Sequence, residues 1–244
     1  MFFQWKKKFP GVYYSMLNAD VHSHLIPGID DGAPDLETSL QLIEGLANLG
    51  YKKIITTPHI MWDMYKNTRK DILERLETLR IAVKKENLQV DIHAAAEYFV
   101  DDNFAQLLNQ KQPLLTFGEN MVLIEFSMAS HPLDLKEALF EMQVQGYQPV
   151  IAHPERYIYL EHNKEFYEDL RNHGCFFQLN LLSLGGYYGR SIMELAHYIA
   201  KKGYYELVGS DLHNFKQLIA LHNPAITSPL KQLIETGKIK NAGL

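Results

Sequence analysis

The chain has 244 residues, of which 46% are apolar and 22% charged. That is enough for a sizeable core, and barrels of about 250 residues are routinely single domains. A formal charge of −5 excludes a nucleic-acid binder driven by bulk positive charge. One cysteine excludes an internal disulfide and a multi-cysteine zinc site, whereas eleven histidines are an excess that calls for a role.

At the N-terminus, Phe2, Phe3 and Trp5 precede Lys6, Lys7 and Lys8 with no apolar run behind them, which makes a poor secretory signal. We read residues 1–17 as an arm packed on its own domain rather than a membrane-touching segment. No stretch approaches the roughly 18–20 apolar residues of a membrane span, so a cytoplasmic protein without an integral membrane segment is expected. No linker or low-complexity stretch divides the chain, and a single domain over 1–244 is the simpler account.

Four segments then share one pattern of helical apolar spacing, glycine and a short apolar run. Leu36, Leu40, Ile43 and Ala47 lead to Gly50 and the run 53–57. Leu135, Ala138, Leu139 and Met142 lead to Gly146 and 149–152. Phe166 and Leu170 lead to Gly174 and 175–179, and Ile192, Leu195, Ala196 and Ile199 lead to Gly203 and 205–208. Glycine past a helix end takes the left-handed conformation that turns the chain back, and short apolar runs after such turns read as buried parallel strands. Runs at 19–21, 90–95 and 121–124 bring the expected strands to seven, and 65–86 reads as an amphipathic helix with Ile72, Leu76 and Leu79 inward. The pattern predicts an α/β fold of βα units.

Polar residues follow each strand. His22 and His24 follow the first, His59 the second, Glu97 the third and Glu125 the fourth. His153 and Arg156 follow the fifth, Asn180 the sixth, and Asp211 and His213 the seventh. In βα proteins the C-terminal edge of the strands holds the active site, and contributions from nearly every strand favour a closed barrel over an open sheet. His-X-His and Asp-X-His on a strand put both side chains on one face. A solitary His59 or Glu125 would be an ordinary hydrogen-bonded core residue, but the joint set is costly to desolvate without a cation. Carboxylate oxygen with imidazole nitrogen and no thiolate suits manganese, iron or zinc at a catalytic site. His22, His24, Asp31, His59, Glu97, Glu125, His153, Asp211 and His213 are too many for one ion and suit two or three, with a carboxylate such as Glu97 bridging. His93, His162, His173, His197 and His222 read as ordinary structural histidines, as does His131, whose alternative is a role near the site.

These residues resemble the PHP family, named for polymerase and histidinol phosphatase. More narrowly they resemble the bacterial manganese-dependent protein-tyrosine phosphatases of capsular and exopolysaccharide operons, the CpsB/YwqE type. The likeness spans about residues 18–215. It rests on Asp20-Val21-His22-Ser23-His24, Ile29-Asp30-Asp31-Gly32, Thr57-Pro58-His59, His153-Pro154-Glu155-Arg156 and Ser210-Asp211-Leu212-His213-Asn214. It implies a distorted (β/α)7 TIM-like barrel with three ions. His22, His24, Glu97 and Asp211 would hold one, Glu97, Glu125 and His153 a second, and Asp31, His59 and His213 the third.

The resemblance further implies that Arg156 binds the substrate phosphate. A second arginine expected after Asp-X-His is replaced by Asn214-Phe215-Lys216, so either Lys216 supplies that charge or the site uses Arg156 and the metals alone; Arg190 after the sixth strand is another candidate, with a plain surface role as its alternative. The implied reaction is hydrolysis of phosphotyrosine by a metal-bridging hydroxide, with Asp31, His213 or a metal-bound water giving a proton to the leaving oxygen. The implied partner is a membrane tyrosine kinase that controls polymer synthesis. Leu181 stands where a Cys-X5-Arg phosphate loop from Cys175 would need arginine, which excludes a cysteine nucleophile. Two other readings remain. One is a small-molecule phosphatase such as a histidinol-phosphate hydrolase. The other is a non-catalytic, metal-stabilised regulatory protein that uses Tyr13, Tyr14, Tyr187 and Tyr188 as a binding surface.

Overall fold

The computed structural model describes residues 14–130, 132 and 134–244. Most of the expected arm, including Phe2, Phe3, Trp5, the three lysines and Tyr13, lies outside the described residues, as does His131. The helical turn Tyr14–Leu17 packs inward, and the Tyr14 hydroxyl donates to the Leu221 carbonyl at 2.6 Å. Tyr14 is therefore a core residue and not part of an aromatic surface.

The strands are β1 (Ala19–Asp20), β2 (Lys53–Thr56), β3 (His59–Ile60), β4 (Asp91–Ala94), β5 (Glu97–Phe99), β6 (Met121–Glu125), β7 (Gln148–Ala152), β8 (Phe176–Asn180) and β9 (Tyr205–Gly209). All pair in parallel, in the orders β1-β2-β4 and β3-β5-β6-β7-β8-β9. The seven expected runs are all present, and two further short strands, β3 and β5, follow β2 and β4. Pro58 has no N–H and pushes Thr57 out of regular pairing, so the Thr57 N–H turns to the Ser23 carbonyl at 2.7 Å. The ladder resumes on the far side. Ala95 N–H donates to the Thr56 carbonyl at 2.9 Å and Glu97 N–H to the Pro58 carbonyl at 3.1 Å. Partners keep one offset throughout, Lys53 opposite Asp91 and His59 opposite Glu97. His59 and Glu97 thus open short strands side by side, where each was expected to follow the end of a strand.

The chain beyond β1 also runs beside the chain beyond β9. Asp211 N–H donates to the His22 carbonyl at 2.7 Å and His24 N–H to the Leu212 carbonyl at 2.9 Å. The Ser210 N–H and hydroxyl both donate to the buried Asp20 carboxylate at 2.8 Å.

Alternate strand residues enter two apolar clusters, which is why these runs are apolar throughout. Val122, Ile124, Ile151 and Val208 face the helices. Ala19, Ile55, Leu123, Val150, Ala152 and Leu207, drawn from both sheets, share the other cluster. Helices Leu36–Leu49, Leu135–Val144, Glu165–Asn172 and Arg190–Lys202 fall where expected, and Gly50, Gly146, Gly174 and Gly203 all take positive φ. The expected helix over 65–86 is shorter, Arg69–Lys85, because Thr68 and Asp71 form a capping box there. Ile72, Leu76 and Leu79 are buried on it. Among the described residues no helix is long and apolar enough to cross a membrane.

Candidate metal centre

His22 and His24 leave β1 fully buried. The Nε2 of His22 lies 3.2 Å from a Glu97 oxygen and 3.3 Å from an Asp211 oxygen, and that of His24 lies 3.4 and 3.6 Å from the same atoms. His153 Nε2 lies 3.1 Å from the other Glu97 oxygen. His59 turns Nδ1 to Glu125 at 3.0 Å and to Glu97 at 3.3 Å, and Nε2 to Asp31 at 3.5 Å. His213 Nε2 also lies 3.5 Å from Asp31. All nine sequence candidates therefore gather in one place.

Their donor atoms fall into four overlapping groups, each within 4.8 Å. These are His24, Asp31, His59 and His213; His22, His24 and Asp211; His22, Glu97 and His153; and His59, Glu97 and Glu125. The donors also pass a test of fit. Among the described residues, buried Glu97 Oε1, Glu125 Oε1, His59 Nδ1 and His153 Nδ1 have no hydrogen-bond partner, a costly condition for atoms withdrawn from water. His59 Nδ1 and Glu125 Oε1 stand 3.0 Å apart without making a hydrogen bond, the relation of two donors aimed at a cation between them. Imidazoles and carboxylates at this spacing suit divalent transition metals.

Burial opposes charge on Glu97 and Asp211, but His22 with His59, and His22 with His213, outweigh it and hold both carboxyls well below the ordinary range. Burial likewise opposes protonation of His22, and Glu97 and Asp211 overcome it, pushing its pKa up to about 9. Protons here do what cations would do.

A second layer fixes the imidazoles. His22 Nδ1 meets Gln178 Oε1 at 2.7 Å, and the Gln178 amide is set by its own donation to the Leu179 carbonyl at 2.6 Å. His24 Nδ1 meets Asp30 at 2.8 Å, and Asp30 also accepts from the Gly32 and His59 N–H groups at 3.0 Å. His213 Nδ1 donates to the Asp211 carbonyl at 2.9 Å. Each ring thus carries its proton on Nδ1 and presents Nε2. Burial raises the Asp30 carboxyl's pKa and the His24 contact lowers it more, to about 2. Sequence reasoning gave a role to Asp31 but none to Asp30, and it missed Gln178. The available signal was the two-residue period of β8, which puts Gln178 on the face of Asn180.

Close approach leaves no room for side chains at two glycines. A Cβ on Gly32 would overlap the His24 carbonyl, and one on Gly209 would stand 2.5 Å from His22 Cβ and 2.7 Å from the Gln178 amide. Gly209→Ala is expected to weaken metal affinity by roughly 10–100-fold, as loss of an outer partner does, when read by metal titration of the stripped protein. His153 and Asp211 take left-handed φ values of 32° and 51°, a strain of order 1–3 kcal/mol each of the kind that clusters at functional sites.

Arg156 closes the short helix Pro154–Arg156. Its guanidinium donates to Asp211 Oδ2 at 2.9 Å and lies 4.6 Å from the centre of the Tyr188 ring. Asn180 and Gln217 amides donate to the Tyr188 hydroxyl at 3.1 and 3.3 Å, so Tyr188 is turned in beneath Arg156 while Tyr187 is exposed. Glu155 is buried, accepting from Asn180 N–H and the Tyr205 hydroxyl. A pocket of about 390 Å³ joins Asp31, His59, Glu97, Glu125, His153, Asp211 and His213 to Arg156, Asn214 and Gln217. Among the described residues neither Arg190 nor Lys216 lines it. Arg190 is 86% exposed and paired with Glu194, and Lys216 is exposed on the helix Phe215–Ala220.

The sequence pattern of the family described as capsular polysaccharide synthesis, CpsB/CapC, matches residues 18–233. Tyrosine-protein phosphatase YwqE of Bacillus subtilis (strain 168) is 29% identical over 197 residues, 81% of this chain and 78% of that protein. Tyrosine-protein phosphatase CpsB of Streptococcus agalactiae serotype V is 31% identical over 202 residues, 80% of this chain and 82% of that protein. A solved structure from work on YwqE of B. subtilis and CpsB of Streptococcus pneumoniae, described as unique metal-dependent tyrosine phosphatases, superposes with a TM-score of 0.77 at 27% identity. It covers 91% of this chain and 94% of its own. With its strand-end histidines and carboxylates gathered as described, the chain belongs to the CpsB/CapC family of capsular polysaccharide synthesis proteins.

Proposed function

We propose that this protein is a metal-dependent tyrosine-protein phosphatase of capsular or exopolysaccharide synthesis. The observation that carries the reading is the convergence of nine imidazoles and carboxylates in overlapping donor groups, seven of them lining one pocket with a clamped arginine at its edge. We read the two sheets as one distorted (β/α)7 barrel, in which β2 with β3 and β4 with β5 are interrupted staves. The apolar cluster shared by both sheets and the bonds from 22–24 to 211–212 support it.

Two or three ions are assigned. His22, His24, Glu97 and Asp211 would hold one, Glu97, Glu125 and His153 the second, and Asp31, His59 and His213 the third. Glu97 belongs to two of the observed donor groups, which supports its bridging role. Manganese is the first choice from family membership, and iron or zinc suits the same donors. Such ions supply Lewis acidity and a nucleophile from water at neutral pH.

The chain's own residues do the rest. Gln178, Asp30 and the Asp211 carbonyl hold the tautomers that expose Nε2. Arg156 takes the phosphate with the part of its fork that Asp211 leaves open. Asp31 or His213 would be the side chain to give a proton to the departing phenolate, which with a pKa of ~10 asks for little help. The proposed substrates are phosphotyrosine proteins, foremost a membrane tyrosine kinase, met on the cytoplasmic side.

Chelation is expected to abolish hydrolysis of a phosphotyrosyl peptide, and Mn2+ to restore it; full activity in stripped protein overturns the proposal. Reloading at about pH 7.5 is expected to release protons, because a ligand histidine must give its proton up. His22, raised to about 9, is protonated in the stripped protein at that pH. Cys175→Ser is expected to retain activity, since Cys175 is a core residue whose thiol burial pushes up to about 12.

A further inference from the structure

Between His59 and the helix Arg69–Lys85 the chain forms a tight hairpin. Met61 N–H donates to the Tyr65 carbonyl at 3.2 Å and Tyr65 N–H to the Met61 carbonyl at 2.7 Å. Its base is fixed on several sides. The Asn67 amide donates to the Ile29 and His59 carbonyls at 3.0 and 2.8 Å, and Trp62 N–H donates to Asp101 at 3.1 Å. The Tyr65 ring stacks on His59 at 5.4 Å and 11°. On this base Met64 is 67% exposed.

A methionine so exposed adds little to folding, since its side chain stays in water. Scattered exposed apolar residues are ordinary, but these are not scattered. Met61, Met64 and Tyr65, joined by Met128 from the segment after β6, line the same pocket as Arg156 and the ligand candidates. The lining therefore has a part suited to a phosphate dianion and a part suited to an apolar ring. An aryl phosphate fills both parts, and an alkyl phosphate leaves the second empty. Methionine also favours aromatic contacts through sulfur and adapts to varied neighbours.

We propose that Met61, Met64, Tyr65 and Met128 form an apolar collar that grips the ring of the substrate's phosphotyrosine and selects aryl over alkyl phosphate esters. This rests on the phosphatase reading above. The test uses the metal-loaded enzyme, with phenylphosphonate and methylphosphonate as competing inhibitors of phosphotyrosyl-peptide hydrolysis. The wild type is expected to bind phenylphosphonate roughly tenfold or more tightly than methylphosphonate, the scale of discrimination by an apolar pocket. Met64→Ser, and more so Met64→Ser with Met128→Ser, are expected to shrink that ratio and raise the peptide KM about tenfold with a much smaller change in kcat, as loss of uniform binding does. Met64→Leu is expected to keep most of the ratio, and Ile81→Ser, on the exposed face of the helix Arg69–Lys85, all of it. Equal inhibition constants in the wild type, an unchanged ratio in both serine variants, or a KM rise accompanied by loss of bound metal would overturn the collar with the phosphatase intact. No turnover of the phosphotyrosyl peptide by the loaded wild type would overturn the function and the collar together.

Discussion

Glu97→Gln is expected to strip the protein of metal and of activity together, by more than the ~100-fold that loss of an outer partner costs a metal site. Glu97 is fully buried and stands within 3.4 Å of ring nitrogens from four histidines, His22, His24, His59 and His153. It belongs to two donor groups at once, so its loss removes negative charge from both. Glutamine keeps the shape but offers one neutral oxygen. The surrounding histidines then lose the charge that now favours their protonated or metal-bound forms. Metal analysis of the purified variant and a phosphopeptide assay read the result. A variant with full metal content and full turnover would remove Glu97 from the centre.

The second large effect is expected at Arg156. Arg156→Lys keeps the positive charge but loses the planar fork and the stack on Tyr188, so it isolates geometry from charge. We expect kcat/KM to fall by about 10²–10³, the scale seen when one transition-state donor is removed. Bound metal should stay near the wild-type level, because Asn180 still donates to Asp211 Oδ2 at 2.7 Å. Neither Lys216 nor Arg190 lines the pocket, so no second cation should rescue the lysine variant. Wild-type kinetics in Arg156→Lys would show that any charge suffices there.

The ligand candidates were legible because their chemistry is conspicuous: a histidine pair or a carboxylate after an apolar run has few other reasons to be there. The helix-closing glycines were legible for a similar reason, since each marks a backbone requirement. What periodicity could not show was hydrogen bonding. The break at Thr57-Pro58 was visible in the proline, but the resumed ladder through Glu97 was not. The 65–86 stretch has helical spacing, and the capping pair Thr68 and Asp71 was the overlooked sign that the helix starts later. Gln178 is one polar residue in an apolar run and acquires meaning only against His22. Lys216 is the opposite case. Proximity in sequence to His213 does not set direction, and the turn after it brings Asn214 and Gln217 to the pocket while Lys216 remains exposed.

The pairing of Ser210 with Asp20, together with the bonds from 22–24 to 211–212, bears on synthesis at the ribosome. Groups separated by 190 positions must meet before His22, His24 and Asp211 stand together. Contacts of such long range form late, because the intervening chain's entropy must be lost first. The ion they would share cannot seed the fold from the N-terminal side. It can enter only after translation has passed the last strand. A polypeptide released before Asp211 would carry His22, His24 and Glu97 without the second carboxylate beside the two imidazoles, and weaker metal retention would distinguish prematurely terminated chains from finished ones.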